Sequence, residues 1–218
     1  MIKRENVIFG KVDAVIMCGI YHVNRELEYG IESLMKMVNR ERRAGAVSQR
    51  IPEIRERDVR PTDEAPILSC NEDGMTLRTV RWGLPGFQKG QVIFNARCET
   101  ALERPMFRDG IRQGRIVIPA RSFYEWNRRK EKNTFERTDG KILYLAGFCR
   151  GNGTDERFVI LTTAANASMI PVHDRMPLIL EESEIEPWLF EEAWTESLLR
   201  KVPGVLSRKA EYEQLSLF

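Results

Sequence analysis

The sequence predicts one α+β domain, built from a curved, mostly antiparallel sheet or open barrel with helices at its periphery. Three observations predict this fold class. The length of 218 residues suits a single domain with short appendages. Short β-type runs, separated by Gly, Pro and Asn, fill residues 65–180. Helix patterns precede and follow these runs.

The elements are predicted in the following order. A helix is predicted over residues 26–45 from apolar residues at 3- and 4-residue spacing, which are Leu27, Ile31, Leu34, Met35 and Val38. Residues 50–65 mix charges with two prolines and are expected to form an exposed loop. A short helix is expected to begin near Glu99, and another helix is predicted over residues 185–199. Strands are predicted at 67–70, 75–82, 115–118, 142–149, 158–163 and 178–180.

The composition is that of an ordinary globular protein, with 42% hydrophobic and 30% charged residues. No apolar run has the ~18 residues that cross a bilayer, and no secretory signal begins the chain, so a cytoplasmic protein without membrane contact is expected. The net charge is only +2, so nucleic-acid affinity would depend on where the 34 Lys and Arg lie. Four scattered cysteines and two histidines predict no metal site, no disulfide framework and no cofactor.

Five segments place reactive or planar polar groups in or beside predicted turns. Each has an ordinary structural explanation when it is taken alone. In this order and spacing they resemble the SOS response associated peptidase (SRAP) family, over roughly residues 18–189. The segments are Met-Cys-Gly-Ile at 17–20, Arg-Trp-Gly-Leu at 81–84, Asn-Ala-Arg-Cys-Glu-Thr at 95–100, Ile-Pro-Ala-Arg-Ser-Phe-Tyr-Glu-Trp at 118–126 and Val-His-Asp-Arg-Met-Pro at 172–177.

The resemblance implies a catalytic set of Cys18, Asn95, Glu125 and His173, and covalent capture of abasic sites in single-stranded DNA during replication and repair. In the family the cysteine becomes the first residue, so it carries both an amine and a thiol. An α-amine, with a pKa of about 7.7–8.0, is partly neutral near pH 7 and forms a Schiff base with the sugar aldehyde. The thiol then closes a thiazolidine ring in an intramolecular step that an internal lysine lacks. Self-processing peptidase and lyase activities are further candidates.

Glu125 lies between Tyr124 and Trp126, and we expect this aromatic setting to desolvate it and favour its protonated form. A protonated carboxyl group suits proton transfer during imine formation. The alternative is a structural ion pair between Glu125 and Arg121 or Arg128.

The resemblance also gives roles to two other polar residues. His173 opens a His-Asp-Arg-Met-Pro turn, where it would act as a general acid on the sugar ring oxygen. The alternative is a histidine that only caps a turn. Asn95 would orient the amine or thiol, or else it is a turn former before a helix. His22, on a predicted strand after Cys18, is interpreted as structural.

For DNA binding, Arg81, Arg97 and Arg175 lie inside the motifs and would contact phosphates, while Trp82 would offer a plane for base stacking. Basic side chains on turns are otherwise ordinary solvated residues. Single strands or junctions are expected to bind better than duplex, because the target sugar has to be exposed. A bacterial protein that joins the nucleoid when on DNA, as a monomer, is expected.

Two features depart from the family pattern. Ser122 stands where members commonly have Gly. Residues 1–16 precede Met17, and Met1 is followed by the bulky Ile2, so removal of the first methionine would not expose Cys18. Three explanations stay open: translation starts at Met17, the protein removes its own leader, or the leader persists and this form is inactive.

The predicted division is a leader at 1–16, an SRAP domain at 17–205 and a tail at 206–218. The tail ends in Gln214, Leu215, Ser216, Leu217 and Phe218, which resembles the pentapeptide by which bacterial repair proteins dock on the sliding clamp. The alternative is an apolar terminus that packs on its own core. Two other functions remain: a cysteine peptidase using Cys18 and His173, and a binder of single-stranded DNA without a covalent step.

Overall fold

The structure is a computed structural model that describes residues 19–42, 51 and 53–211. Along these residues the strands and helices follow in alternating groups. They are β1 (Ile20–Val23), α1 (Glu26–Glu41), β2 (Arg57–Val59), β3 (Glu64–Asn71), β4 (Gly74–Trp82), β5 (Leu84–Pro85), β6 (Val92–Ile93), β7 (Asn95–Arg97), α2 (Cys98–Ala101), α3 (Pro105–Gln113), β8 (Arg115–Ala120), β9 (Ser122–Trp126), β10 (Lys132–Arg137), β11 (Leu143–Arg150), β12 (Arg157–Ala164), β13 (Arg175–Pro177), β14 (Ile179–Leu180), α4 (Glu182–Phe190), α5 (Thr195–Leu199) and β15 (Leu206–Ala210).

The larger sheet closes on itself as a ring. Its strands pair in the order β4, β3, β8, β11 and β12, and β12 pairs again with β4. The β12–β4 and β12–β7 pairs are parallel, whereas the other pairs in this sheet are antiparallel. The predicted α+β class with mostly antiparallel strands is confirmed, and the barrel is closed.

A second, five-stranded sheet lies beside the ring, in the order β15, β10, β9, β1 and β2, all antiparallel. The two sheets and α1 share one apolar core. Tyr21 of β1 packs on Trp82 of β4 with ring centroids 5.2 Å apart, which joins one sheet to the other. Burial of such large aromatic rings contributes strongly to stability, so the relative position of the two sheets is fixed largely by this core.

Several element predictions need correction. Residues 185–199 form two helices, α4 and α5, because Glu191 adopts an extended backbone between them. The loop expected at 50–65 contains β2 and the beginning of β3. Helix α3 was not predicted, although Pro105 suits its first turn, where no backbone amide is needed.

The predicted tail also begins inside the fold. Residues 206–210 form β15, which pairs with β10 from Leu206 to Ala210, so the folded domain extends beyond the predicted boundary at 205. The docking peptide at 214–218 and the leader at 1–16 lie outside the described residues. No helix within the described ranges is both long enough and apolar enough to cross a membrane.

Candidate active site

A cavity of about 1250 Å³ opens where the two sheets meet. Its walls come from β6 and β7, the turn after β9, Thr162 of β12, and the loop between β12 and β13. Three predicted catalytic residues, Asn95, Glu125 and His173, line it together. Cys18, the fourth, lies outside the described residues. Segments far apart in the chain therefore bring an amide, a carboxyl group and an imidazole to one cavity.

Glu125 is placed by β9, where its register partner is Asn133 of β10. Alternation along the strand puts Glu125 on the same face as the buried Phe123. The residue is only 2% exposed, and its Oε1 accepts a hydrogen bond from the Trp126 amide at 3.2 Å. Such burial favours the protonated carboxyl group. Arg121, one of the alternative partners, contacts Glu26 at 3.3 Å and Glu136 at 3.7 Å.

His173 lies in the loop that joins β12 to β13 and is 7% exposed. Its Nδ1 accepts a hydrogen bond from the Arg175 amide at 2.9 Å and also lies 3.0 Å from Asp174 Oδ1. Because an amide only donates, this bond assigns the proton of the neutral ring to Nε2. Nε2 is buried and has no hydrogen-bond partner among the described residues. The imidazole is thus left with one N–H available for a ligand in the cavity.

Asn95 begins β7 and pairs in parallel register with Ile160 of β12. The preceding residue anchors this strand, because the Phe94 carbonyl accepts hydrogen bonds from the Ile160 amide at 3.1 Å and from Trp82 Nε1 at 2.9 Å. Asn95 therefore stands in a strand, although α2 follows at Cys98. The ring of strands sets its position on the cavity wall.

The predicted DNA-binding arginines differ in their surroundings. Arg97 is exposed on the cavity wall. Arg175 also lines the cavity but is held by Glu99, with contacts of 2.5 and 2.8 Å, and by the Thr162 carbonyl at 2.6 Å. The hydrogen bond from Arg175 lowers the pKa of Glu99, so the carboxylate stays ionised and balances the arginine charge. Arg97 is therefore the better placed of the two for a phosphate.

Two of the predicted DNA contacts are not brought to the cavity. Trp82 is 0% exposed and stacks on Phe158 with ring centroids 6.1 Å apart. The expectation that bases stack on Trp82 is wrong, because its ring is inside the core. Arg81 is exposed but pairs in register with Arg157, at the opposite end of β12 from Thr162.

The sequence interpretation missed a basic turn between β9 and β10. Arg128, Arg129 and Lys130 are exposed and line the cavity. Asn127 shapes the turn, since its Oδ1 accepts from the amides of Arg129 at 2.9 Å and of Glu131 at 3.0 Å. The signal was available, because three basic residues follow the Phe-Tyr-Glu-Trp segment directly.

An exposed aromatic ring was missed as well. Phe87 is 85% exposed in the turn between β5 and β6, and Val92 and Ile93 of β6 line the cavity. An exposed ring of this size on a hairpin is unusual unless it meets a ligand or partner. Phe87 is therefore the better candidate for base stacking than Trp82.

The three described cysteines are unsuited to nucleophilic chemistry. Burial raises the pKa of Cys98 to about 12 and that of Cys149 to about 12. Burial also raises the pKa of Cys70, whose Sγ donates to the Leu189 carbonyl at 3.1 Å. Because the thiolate is the reactive form, these thiols are inert near neutral pH.

Comparison with known proteins gives a consistent match. The model of the SOS response associated peptidase (SRAP) family matches residues 17–216. The chain is 31% identical over 144 residues to the abasic site processing protein YedK of Escherichia coli, covering 62% of this chain and 64% of that one. It is 36% identical over 139 residues to the abasic site processing protein YoqW of Bacillus subtilis, covering 56% and 62%. The alignments thus span less than two thirds of these relatives.

Solved structures show the same fold. A phage-related protein from Bordetella bronchiseptica superimposes with a TM-score of 0.69 at 22% identity, covering 88% of this chain and 93% of that one. A protein from Bacteroides thetaiotaomicron superimposes with a TM-score of 0.61 at 25% identity, covering 72% and 78%.

Proposed function

Since the chain belongs to the SOS response associated peptidase (SRAP) family, we propose that it captures abasic sites in single-stranded DNA through a covalent bond to Cys18. The observation that carries the proposal is the meeting of Asn95, Glu125 and His173 in one cavity. Relatives of the chain are named abasic site processing proteins, which fits this chemistry.

The start of β1 supports the role of Cys18. Ile20, two residues after Cys18 in the sequence, pairs with Tyr124, the neighbour of Glu125. The first described residues of the chain therefore run beside the buried carboxyl group. This arrangement suits a nucleophile located just before β1.

The reaction proceeds in three balanced steps. His173 gives its Nε2 proton to the sugar ring oxygen, and the C1 hydroxyl loses its proton, which opens the ring to an aldehyde. The α-amine of Cys18 adds to the aldehyde carbon, and one water leaves as the imine forms. The thiol sulfur then bonds to the same carbon, while the thiol proton moves to nitrogen and the five-membered ring closes.

Glu125 and Asn95 serve the middle step. A protonated Glu125 carboxyl group gives its proton to the departing hydroxyl, which leaves as water. The Asn95 amide orients the amine or thiol by hydrogen bonding. Because Glu125 is almost wholly buried, its carboxyl group is shielded from exchange with bulk water.

The cavity rim suits a single strand. Arg97 and the basic turn at 128–130 supply positive charge on its wall, and Phe87 supplies an exposed ring on a neighbouring hairpin. Phosphate contact by cations together with base stacking on an aromatic side chain gives affinity that tolerates any sequence. We therefore propose binding that is largely independent of sequence.

Replacing Arg97 by glutamine is expected to weaken binding and to flatten its salt dependence. Each phosphate contact to single-stranded DNA contributes a slope of about −0.7 in log K against log salt, so the slope should become less steep by about that amount. Fluorescence anisotropy at several salt concentrations measures it. Arg81→Gln is the matched control, because Arg81 is exposed but lies away from the cavity; an equal change in both variants would contradict this placement.

The aminothiol requires that Cys18 be the first residue of the active protein. Two routes would supply it: translation from Met17 followed by methionine removal, or self-cleavage in which Cys18 attacks the preceding carbonyl with help from Glu125 or His173. We favour translation from Met17, because that methionine immediately precedes the cysteine. A form that retains residues 1–16 should form no thiazolidine.

The C-terminal peptide is proposed as a docking element for the bacterial sliding clamp. Leu217 and Phe218 would fill an apolar pocket of the clamp. Deleting residues 214–218 should abolish clamp binding, measured by surface plasmon resonance, without lowering the melting temperature. Unchanged affinity for the clamp would refute the docking role, and a lower melting temperature would indicate that the peptide packs on its own domain.

The proposed function is tested by mixing the protein, beginning at Cys18, with an abasic single-stranded oligonucleotide and separating the products by denaturing electrophoresis. A slower band that survives denaturation supports covalent capture. Salt-sensitive binding without that band would indicate a non-covalent DNA binder. Cleavage of added peptides that depends on Cys18 and His173, again without the band, would indicate a cysteine peptidase.

A further inference from the structure

The proposed proton donors come from different sheets. Glu125 lies on β9 of the five-stranded sheet, whereas His173 lies in the loop after β12 of the ring. Proton transfer to one sugar requires both groups to be held in place to within a fraction of an ångström. A structural link between the His173 loop and the five-stranded sheet would provide this.

Asn166 makes that link with its side-chain amide. The residue is buried at the beginning of the loop that carries His173. Its Nδ2 donates to the Pro203 carbonyl at 3.0 Å and to the Gly204 carbonyl at 2.7 Å. Both donors of the amide are thereby used on the segment that leads into β15.

The acceptor side of the same amide shapes the loop. Asn166 Oδ1 accepts from the Ser168 amide at 3.0 Å, from the Ser168 hydroxyl at 2.6 Å and from the Met169 amide at 3.3 Å. The Met169 carbonyl in turn accepts from the His173 amide at 3.0 Å. A short hydrogen-bonded path therefore connects the Asn166 amide to the backbone of His173.

A second bond strengthens the connection to the other sheet. The Ser168 hydroxyl accepts from the Leu206 amide at 3.1 Å, and Leu206 begins β15. Strand β15 pairs with β10, which pairs with β9, where Glu125 lies. The bonds from Asn166 and Ser168 are thus continuous with the strand that carries the buried carboxyl group.

We propose that Asn166 is a positioning residue for the reaction: by fastening the His173 loop to the segment at 203–206, it sets the place of the imidazole relative to Glu125. The inference rests on the proposed function for its effect on rate, and on the hydrogen bonds alone for its effect on His173. Asn166 acts through the loop and contacts no substrate.

The variant Asn166→Asp tests the proposal. An aspartate keeps an acceptor for Ser168 and Met169, but it loses the donor to Pro203 and Gly204 and turns an oxygen towards their carbonyls. We expect the crosslinking rate at saturating oligonucleotide to fall roughly tenfold to hundredfold. The oligonucleotide concentration for half-maximal rate should stay the same, since the basic rim is untouched.

Asn39→Asp is the matched control. Asn39 is also a buried amide with backbone partners, donating to the Met75 carbonyl at 3.2 Å and accepting from the Met75 amide at 2.7 Å. It lies on α1 and contacts β4, outside the cavity lining. A comparable loss of melting temperature with a wild-type rate in this variant separates positioning from general destabilisation.

A second readout is independent of activity. The chain has two histidines, so the NMR signals of His22 and His173 are distinguished by a His22→Gln variant. In Asn166→Asp the His173 ring signals and their titration should change, whereas in Asn39→Asp they should not. A wild-type rate together with an unchanged His173 signal overturns the proposal. If the wild-type protein forms no crosslink, the proposed function fails, and the His173 signal still decides whether Asn166 positions the ring.

Discussion

Replacing Cys18 by alanine is expected to abolish the heat-stable adduct with abasic single-stranded DNA. Alanine at the first position keeps the α-amine but has no sulfur to close the ring, so the reaction stops at an imine that water reverses. Burial raises the pKa values of the three described cysteines, so none of them replaces the missing thiol. Denaturing electrophoresis after a fixed incubation measures the loss.

Borohydride and a second cysteine variant make this prediction specific. Cys18→Ala should still give a permanent adduct when borohydride is present, because reduction traps the imine. Cys70→Ser is the matched control, since a serine hydroxyl also donates to the Leu189 carbonyl. Undiminished adduct in Cys18→Ala without reductant, or a complete loss in Cys70→Ser, would contradict the role of Cys18.

Replacing Glu125 by glutamine is expected to slow adduct formation by about 10²-fold or more, the usual contribution of a positioned general acid. The amide has nearly the same shape as the carboxyl group but has no proton to give to the departing hydroxyl. Single-turnover kinetics with excess protein measures the rate. The affinity for an intact oligonucleotide should change little, because the positive charge lies on the rim and not at Glu125.

The stability of the Glu125→Gln protein is part of the same test. Removing an ionisable group from a site that is 2% exposed takes away its desolvation cost, so the melting temperature should not fall. Glu72→Gln, in the exposed turn between β3 and β4, is the control and should react at the wild-type rate. A slow Glu125→Gln protein with a greatly reduced melting temperature would point to a structural role instead.

Much of the fold is predictable from local sequence because the ring strands are short apolar runs with clear ends. The predicted run at 75–82 becomes β4, and the run at 158–163 becomes β12. The pairing of these two strands, which closes the ring, joins residues far apart in the chain and has no local signature. Helix α3 was missed because its pattern is brief and interrupted by Gly110.

The site shows the same division between local and long-range information. The motifs identify Asn95, Glu125 and His173, which the structure brings to one cavity. They do not reveal that Trp82 is buried, because its burial depends on contacts with Tyr21 and Phe158 from other strands.

Charge balance was equally hidden from the sequence. Arg175 is balanced by Glu99, which lies 76 residues earlier in the chain. Such a partner becomes visible only when β7, α2 and β13 are placed beside β12. The basic turn at 128–130, by contrast, was a local signal that sequence analysis alone can use.

The central claim is that the amine and the thiol of an N-terminal Cys18 bond to the same sugar carbon. Mass spectrometry of the adduct tests it most directly, with proteins that begin at Met1 and at Met17 reacted side by side. We predict an adduct only on protein that begins at Cys18, with the mass of protein plus oligonucleotide less one water, mapped to the first residue. An adduct on protein that still carries Met1, or one mapped to another residue, would contradict the account.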